Sequence, residues 1–448
     1  MNLAYFEAML KAGSATFVDP FTGQGTIGLG YNLEAGFQLF WSAFHQISGI
    51  SWMNIFRYFP SIIFMITVLS VYIMGRRQGF GWEAALFTCL ILTTVGILGP
   101  GFLVAVAMGM LFIPLSFFLV FNFKTGWSYL VLFIFTCFLL TIHAPSAICL
   151  VIVLIPYILL NLKGDFKHSL GITLALIIPF LVPFPWIFDR LLPYAQSLFS
   201  LRPLSTYVQL PRIIRTYGYL PIILGILGTF LLAIWGGKKN YGLTLGLLAL
   251  LVMLATFFTF HYGLTIMYER GLMYMMLMIS IVAGAGLMGV RRLRLPAKLT
   301  TRLKSPLIEK TIGISLCLVL VGITLAVSIP NRQDTLYYHM IDTEDYETFL
   351  WIKENVDDKY EKAILDPWKA TAFTAITGKY VYTRIHAYPT SSDEEAHEFL
   401  DNGSRDTTFL KENGISIVYS QRGVDNPDLV EQEMEHVYLL REAESTED

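Results

Sequence analysis

Acidic residues are almost excluded from the first 330 positions of this chain, and that asymmetry limits the possible folds more than any other feature. Residues 1–330 hold eight Asp or Glu against 21 Lys or Arg, set among long apolar runs. Residues 331–448 hold the other 26 acids against 11 bases. The first part reads as a polytopic α-helical membrane protein, and the second as a small water-soluble α/β domain joined to its end. An apolar fraction of 54% with 15% charged residues excludes an ordinary soluble protein. Cys89, Cys137, Cys149 and Cys317 all lie inside apolar runs, which reads as burial and not as a disulfide or metal framework. No nucleotide-binding or nucleic-acid-binding pattern is present, and the sequence gives no basis for or against a divalent metal.

Crossing the hydrocarbon takes about 20 mostly apolar residues, fewer when segments pair or tilt. About ten transmembrane helices are expected: 55–74, 82–98, 102–121, 127–142, 145–160, 169–188, 217–235, 241–260, 271–290 and 311–329. The 127–160 stretch is broken by His143-Ala144-Pro145-Ser146, which predicts a tight hairpin because proline cannot continue a helix; one kinked helix is the rival. Lys and Arg are retained on the cytoplasmic side. Alternate connections carry 14 of them and the other four connections carry five. Residues 1–51 and 331–448 are therefore both expected outside the cell membrane, with 52–330 as the transmembrane domain.

In the outward N-terminal segment, Leu3, Phe6 and Leu10 recur at helical spacing, as do Leu33, Phe37, Phe40, Trp41 and Phe44. Two amphipathic helices along the membrane surface fit this pattern, separated by a Gly-rich stretch with Asp19-Pro20. In the tail, helices are expected near Glu344–Asn355, Ser392–Asn402 and Thr407–Asn413. Strands are expected at Ala363–Leu365, Tyr380–Thr383, Ile415–Tyr419 and His436–Leu440.

Only five acids of the first 330 residues fall on the outward side: Glu7, Asp19, Glu34, Asp189 and Glu269. Glu7 and Glu34 read first as solvating the polar faces of interfacial helices. Asp19 before Pro20 reads first as a turn starter whose carboxylate caps backbone N–H groups. Glu269-Arg270 opens the ninth span. An arginine there can grip a phosphate while its neighbour orients it; equally, the pair can anchor the helix beside Tyr262 and Tyr268. Arg202 and Arg212, with Arg190 and Arg215, add positive charge on the same side, suited to an anionic lipid headgroup. Asn402-Gly403-Ser404 matches a glycosylation sequon by a short pattern only. His45, His143 and His261 lack metal-ligand spacing and read as ordinary polar residues.

These features resemble the GT-C superfamily of membrane glycosyltransferases, especially its glycosyltransferase-like and oligosaccharyltransferase-like members from archaea and bacteria. The resemblance is carried by the opening FEAMLKAGSATFVDPFTGQGTIGLGYNLEAGFQLFWSAFHQISGIS, the LGPG turn, the YERG start of a span, and DYETFLWIKEN and ITGKYVYT in the tail. It implies that the opening forms the family's first large outer loop. It also implies transfer of a sugar from a polyprenyl-phosphate-linked donor to a lipid or protein acceptor on the outer face. Family members carry a span before that loop with a catalytic Asp just after it, whereas here Met1 falls where the loop is already under way. The expectation is that the 448-residue chain lacks that carboxylate and has little transferase activity, with Asp19 as the best substitute catalytic residue and Glu7 as another. The alternative is a non-catalytic scaffold, or a component of a lipid or polysaccharide flippase or exporter.

Overall fold

The computed structural model describes residues 2–28, 34–91, 99–182, 214, 217–260, 268–292, 306–333, 340–385 and 390–441. Side chains at 268, 269, 306, 307, 309 and 331–333 are not among those described. The helices of the first part are α1 (Asn2–Ala12), α2 (Ala35–Ser48), α3 (Trp52–Arg76), α4 (Gly81–Cys89), α5 (Ala105–Asn122), α6 (Gly126–Ile142), α7 (Ala144–Asn161), α8 (Phe166–Leu181), α9 (Tyr219–Trp235), α10 (Lys238–Phe260), α11 (Tyr268–Arg291) and α12 (Pro306–Gln333). Strands β1 (Phe17–Val18) and β2 (Thr26–Ile27) form an antiparallel pair between α1 and α2.

Among the described residues, six helices are long and apolar enough to cross a membrane: α3, α5, α7, α10, α11 and α12. Helices α6, α8 and α9 are apolar but shorter, and α4 has nine residues, so these lengths do not establish the expected ten crossings. Residues 92–98 and 183–188, parts of two expected spans, lie outside the described residues. Several hydroxyls within the apolar helices are satisfied locally: Thr67 donates to the Ile63 carbonyl, Ser70 to Ile66, Thr88 to Ala84 and Thr136 to Leu132. Prolines inside the helices (Pro60, Pro114, Pro156 and Pro179) are tolerated in the same setting. The expected hairpin forms: α6 ends and α7 begins at His143, whose extended backbone (φ −164°, ψ 90°) breaks the helix before Pro145.

Helix α11 is the axis of the bundle, packed by α4, α5, α7, α9, α10 and α12. Its run Val282–Gly289 is rich in small residues, which lets α9 approach closely: a Cβ on Gly228 or Gly286 would collide with the opposing backbone.

The tail folds as α13 (Thr343–Asn355), β3 (Lys362–Ile364), α14 (Pro367–Thr377), β4 (Tyr380–Val381), α15 (Ser391–Asp401), α16 (Thr407–Glu412), β5 (Ile417–Tyr419), β6 (Leu429–Glu431) and β7 (Val437–Leu440). The sheet order is β4-β3-β5-β7-β6, parallel across β4, β3 and β5 and antiparallel across β7 and β6. Alternate residues face opposite layers. Ala363, Ile417 and Tyr419 pack with Phe349, Ile352 and Phe373; Ile364 and Val418 pack with Ala396, Phe399 and Leu410. The expected helices and four strands are present, together with α14 and β6, which hydrophobic periodicity did not mark. Helix α14 is rich in threonine and only 11 residues long, and β6 buries one residue of three.

The N-terminal segment joins the two parts. Phe6 is fully buried and stacks on Trp52 at 5.0 Å, inside the bundle core, while Ala4 and Phe21 belong to the hydrophobic core of the tail domain. Val381 N–H donates to the Phe21 carbonyl at 2.7 Å, so residue 21 continues the sheet edge beside β4. A side chain on Gly23 would meet the Tyr380 ring at 2.8 Å, which requires glycine there. Helix α1 is thus wedged between bundle and tail, and Leu3 and Leu10 are only partly buried.

Candidate active site

Three chain segments meet where α1, α2 and the tail domain cap the bundle. Glu34 is the residue before α2, but its side chain makes no helix cap. Its Oε1 instead lies 3.8 Å from Arg270 Nη2, at the start of α11, and 3.9 Å from His143 Nε2, at the α6–α7 turn. Helix α2 reaches this position because residue 36 is glycine: a Cβ there would collide with the Thr141 carbonyl on α6. On the other side of the imidazole, Ser146 Oγ is 2.6 Å from His143 Nδ1 and the Tyr274 hydroxyl is 3.3 Å from it; Ser146 and Tyr274 are bonded to each other. Tyr274 lies one turn beyond Arg270 on the same helix, so the spacing of four places both on one face. Gly109 on α5 leaves the room that Ser146 occupies.

The electrostatics grade from dry to wet. His143 is buried with 2% of its side chain exposed, whereas Glu34 and Arg270 keep 22% and 32%. Burial pushes the Glu34 carboxyl above its ordinary range, opposed by the Arg270 charge. Burial and then Arg270 push the His143 imidazole well down, so it is neutral at physiological pH. A neutral ring has one N–H; when Nδ1 accepts from a hydroxyl, Nε2–H faces the Glu34 carboxylate.

Beside this cluster, α1 and the tail domain are joined by a further polar contact. Arg384, just beyond β4, donates from Nη2 to the Tyr5 hydroxyl at 3.1 Å, and its guanidinium covers the Phe21 ring at 4.5 Å. Burial raises the Tyr5 phenol; Arg384 opposes this, while the Asp19 and Glu34 carboxylates reinforce it. Asp19 sits in the β1–β2 turn, where its Oδ1 accepts from Phe21 N–H at 3.0 Å, the turn-forming bond expected of that residue type.

Of the residues singled out from sequence, Arg270 and Asp19 lie at this end of the bundle. Glu269 begins α11 beside Arg270, though its side chain is not described, and Arg202 and Arg212 lie outside the described residues. From sequence, Glu34 reads as solvating the polar face of an interfacial helix and His143 as an ordinary polar residue, and nothing there marks Tyr5, Ser146, Tyr274 or Arg384. The available signal was a His and a Ser three apart at the break of an otherwise apolar hairpin. Among the described residues, no group of three or more His, Cys, Asp or Glu could hold a metal. In the tail, a cavity of about 800 Å³ borders Arg405 and Arg422, but both are already paired, with Asp425 and Asp401. Ser404 of the sequon is fully buried at φ 57°, so the folded domain does not offer that motif in extended form.

The fold is similar to that of solved archaeal oligosaccharyltransferases. The chain is similar to the apo crystal structure of the Archaeoglobus fulgidus oligosaccharyltransferase, with TM-score 0.64 and 10% identity over 93% of this chain and 65% of that one. It is also similar to AglB from the same organism in complex with an inhibitory peptide and a dolichol-phosphate, with TM-score 0.62 and 12% identity over 94% of this chain and 64% of that one. The chain thus spans just under two thirds of the length of those structures. No protein-family model matches the sequence, and no curated protein matches it.

Proposed function

We propose that this protein is a GT-C type membrane glycosyltransferase that moves a sugar from a polyprenyl-phosphate-linked donor to a lipid or protein acceptor at the outer face of the cell membrane. In this reading residues 1–51 and 331–448 are both outside, and 52–330 form the transmembrane domain. The observation that carries it is the meeting of Arg270, Glu34 and His143 at the end of an oligosaccharyltransferase-like bundle. The dolichol-phosphate and peptide of the AglB complex supply the precedent for the kinds of donor and acceptor.

The chemistry follows from charge. As the acceptor's nucleophilic atom bonds to the sugar, its proton passes to a carboxylate, Glu34 or, as second candidate, Asp19. The bond between sugar and phosphate breaks, and Arg270 meets the negative charge left on the polyprenyl phosphate. Glu269 would orient that guanidinium, and Arg202 and Arg212 would add to the attraction for the phosphate. His143, held by Ser146 and Tyr274, is a positioning residue for Glu34.

The test is sugar transfer in proteoliposomes with polyprenyl-phosphate-linked sugars, comparing the unaltered chain with Glu34→Gln, Asp19→Asn and Arg270→Ala. Loss in Glu34→Gln with donor binding retained assigns the base to Glu34; the same result in Asp19→Asn assigns it to Asp19. Donor binding and turnover unchanged in all three variants would overturn the reading.

A further inference from the structure

Away from the capped end, four helix connections converge in a way the sugar-transfer reading does not use. Residues 76–80, 122–126, 161–167 and 235–240 contain Arg76, Arg77, Lys124, Lys163, Lys167, Lys238 and Lys239, but a single acid, Asp165. They meet in space. Lys124 Nζ is 2.6 Å from Asp165 Oδ2, which ties the α5–α6 turn to the α7–α8 turn. Lys239 Nζ donates to Asn122 Oδ1 at 3.3 Å, which brings the start of α10 over the end of α5. Lys238 Nζ lies against Gly164, where an added Cβ would stand 2.6 Å from it. Arg77 and Lys124 are near enough for their charges to act on the Lys239 ammonium.

This arrangement is electrostatically incomplete. Among the described residues only Lys124 has a carboxylate partner in the cluster, and that pair consumes the one acid. Retention of bases on the cytoplasmic side accounts for their number. It does not account for like charges from four separate connections being folded onto each other, which costs energy unless an anion joins them. Exposed aromatic residues ring the same end: Trp127 and Phe123 on the α5–α6 side, Phe166 at the start of α8, and Trp235 and Tyr241 around the α9–α10 turn. Such aromatics settle at headgroup depth, where lipid phosphates lie.

We propose that these four connections form a binding site for the headgroup of an anionic phospholipid, with the phosphate held by Lys239, Lys238 and Arg77. Lysines serve as point-charge phosphate ligands, and basic pockets between membrane helices take anionic headgroups. The acyl chains would run along the exposed apolar faces of α8 and α10. The site is distinct from the cluster around Arg270 and does not depend on its function.

The test uses the full chain in nanodiscs of phosphatidylcholine alone or with one part in five phosphatidylglycerol, with thermal unfolding and native mass spectrometry as readouts. Phosphatidylglycerol should raise the unfolding midpoint and remain bound in the spectrometer. The double variant Arg77→Gln, Lys239→Gln should lose that shift and retain roughly tenfold less phosphatidylglycerol, while Lys11→Gln, an exposed base at the capped end, should behave like the unaltered chain. An unaltered chain indifferent to phosphatidylglycerol would overturn the proposal. So would equal losses in Lys11→Gln, which would mean surface charge alone. Full stabilisation of the lipid-depleted protein by inorganic phosphate would also overturn it, by assigning the site to a free anion.

Discussion

Two buried ionic clusters in this protein have similar composition and opposite character. In the tail, Asp345 is 1% exposed and is held by Lys369 at 2.7 Å and by the Tyr419 hydroxyl at 2.6 Å. Asp345 also closes a capping box with Asp342 at the start of α13. At the capped end of the bundle, Glu34 stands 3.8 Å from the Arg270 guanidinium and 3.9 Å from the neutral His143 imidazole, and remains partly open to solvent. Burial pushes the Asp345 carboxyl up, but its hydrogen bonds to Lys369, Tyr419 and the Asp342 N–H outweigh this and hold it below the ordinary range. At Glu34 burial wins and the carboxyl is raised. A tight, satisfied network maintains a fold, whereas a loose, desolvated one keeps capacity for a proton and a ligand.

The comparison can be broken by experiment, and the largest expected effect is at Glu34. Glu34→Gln keeps the shape and removes the base, so turnover should fall about 100-fold or more with unfolding temperature nearly unchanged. A large loss of stability in this variant would put Glu34 in the same structural class as Asp345. Next in size is Asp345→Asn, which leaves the partly buried Lys369 only Gln421 as a hydrogen-bond partner and should destabilise the tail by about 2 kcal/mol. Because the folded carboxyl titrates below the unfolded value of about 3.9, the Asp345 contribution is present above that value and is lost as pH falls through the folded one. Thermal unfolding followed from pH 7 to pH 3 checks both statements.

Smaller effects sharpen the contrast. Arg270→Ala removes a charge-assisted contact and should weaken donor binding about tenfold or more, measured by titration with a polyprenyl phosphate. Arg270 also opposes the raised Glu34 carboxyl. The acid limb of the rate should therefore lie above the ordinary glutamate value of about 4.3 and move to higher pH in Arg270→Ala. An acid limb that moves to lower pH would show that Arg270 does not act on the titrating group. The smallest change is expected for Arg384→Gln, which loses the guanidinium over Phe21 and the bond to Tyr5. With such a contact contributing about 1 kcal/mol, cleavage by protease within residues 13–28 should quicken roughly fivefold.

How much of this was legible in the sequence depended on the range of the signal. The α6–α7 break at His143 was readable because Pro145 acts on its own turn. Helices α13, α15 and α16 were readable from acids and hydroxyls that cap them within three residues, as Asp342, Thr390 and Asp406 do. Helix α14 carried the same signature in Asp366-Pro367, a cap followed by a proline at the first helical position, but its threonines masked the helical period. The wedge position of α1 was not readable: Phe6 and Ala4 look alike in a hydrophobic pattern, although one packs into the bundle and the other into the tail.

The sequence by itself determined that the first part is built of apolar helices suited to a membrane and that the acidic tail is an α/β layer. Hydropathy and caps act over a few residues, and no distant partner can reverse them. Only the tertiary structure decided which polar residues share a site. Glu34, His143 and Arg270 are separated by more than 100 residues along the chain at each step, and each alone resembles an interfacial anchor. Their proximity is produced by the close contact of Gly36 with α6, the turn at His143 and the packing of α7 on α11. The pKa shifts that distinguish Glu34 and His143 come from burial among those neighbours, a property that exists only once the helices have packed.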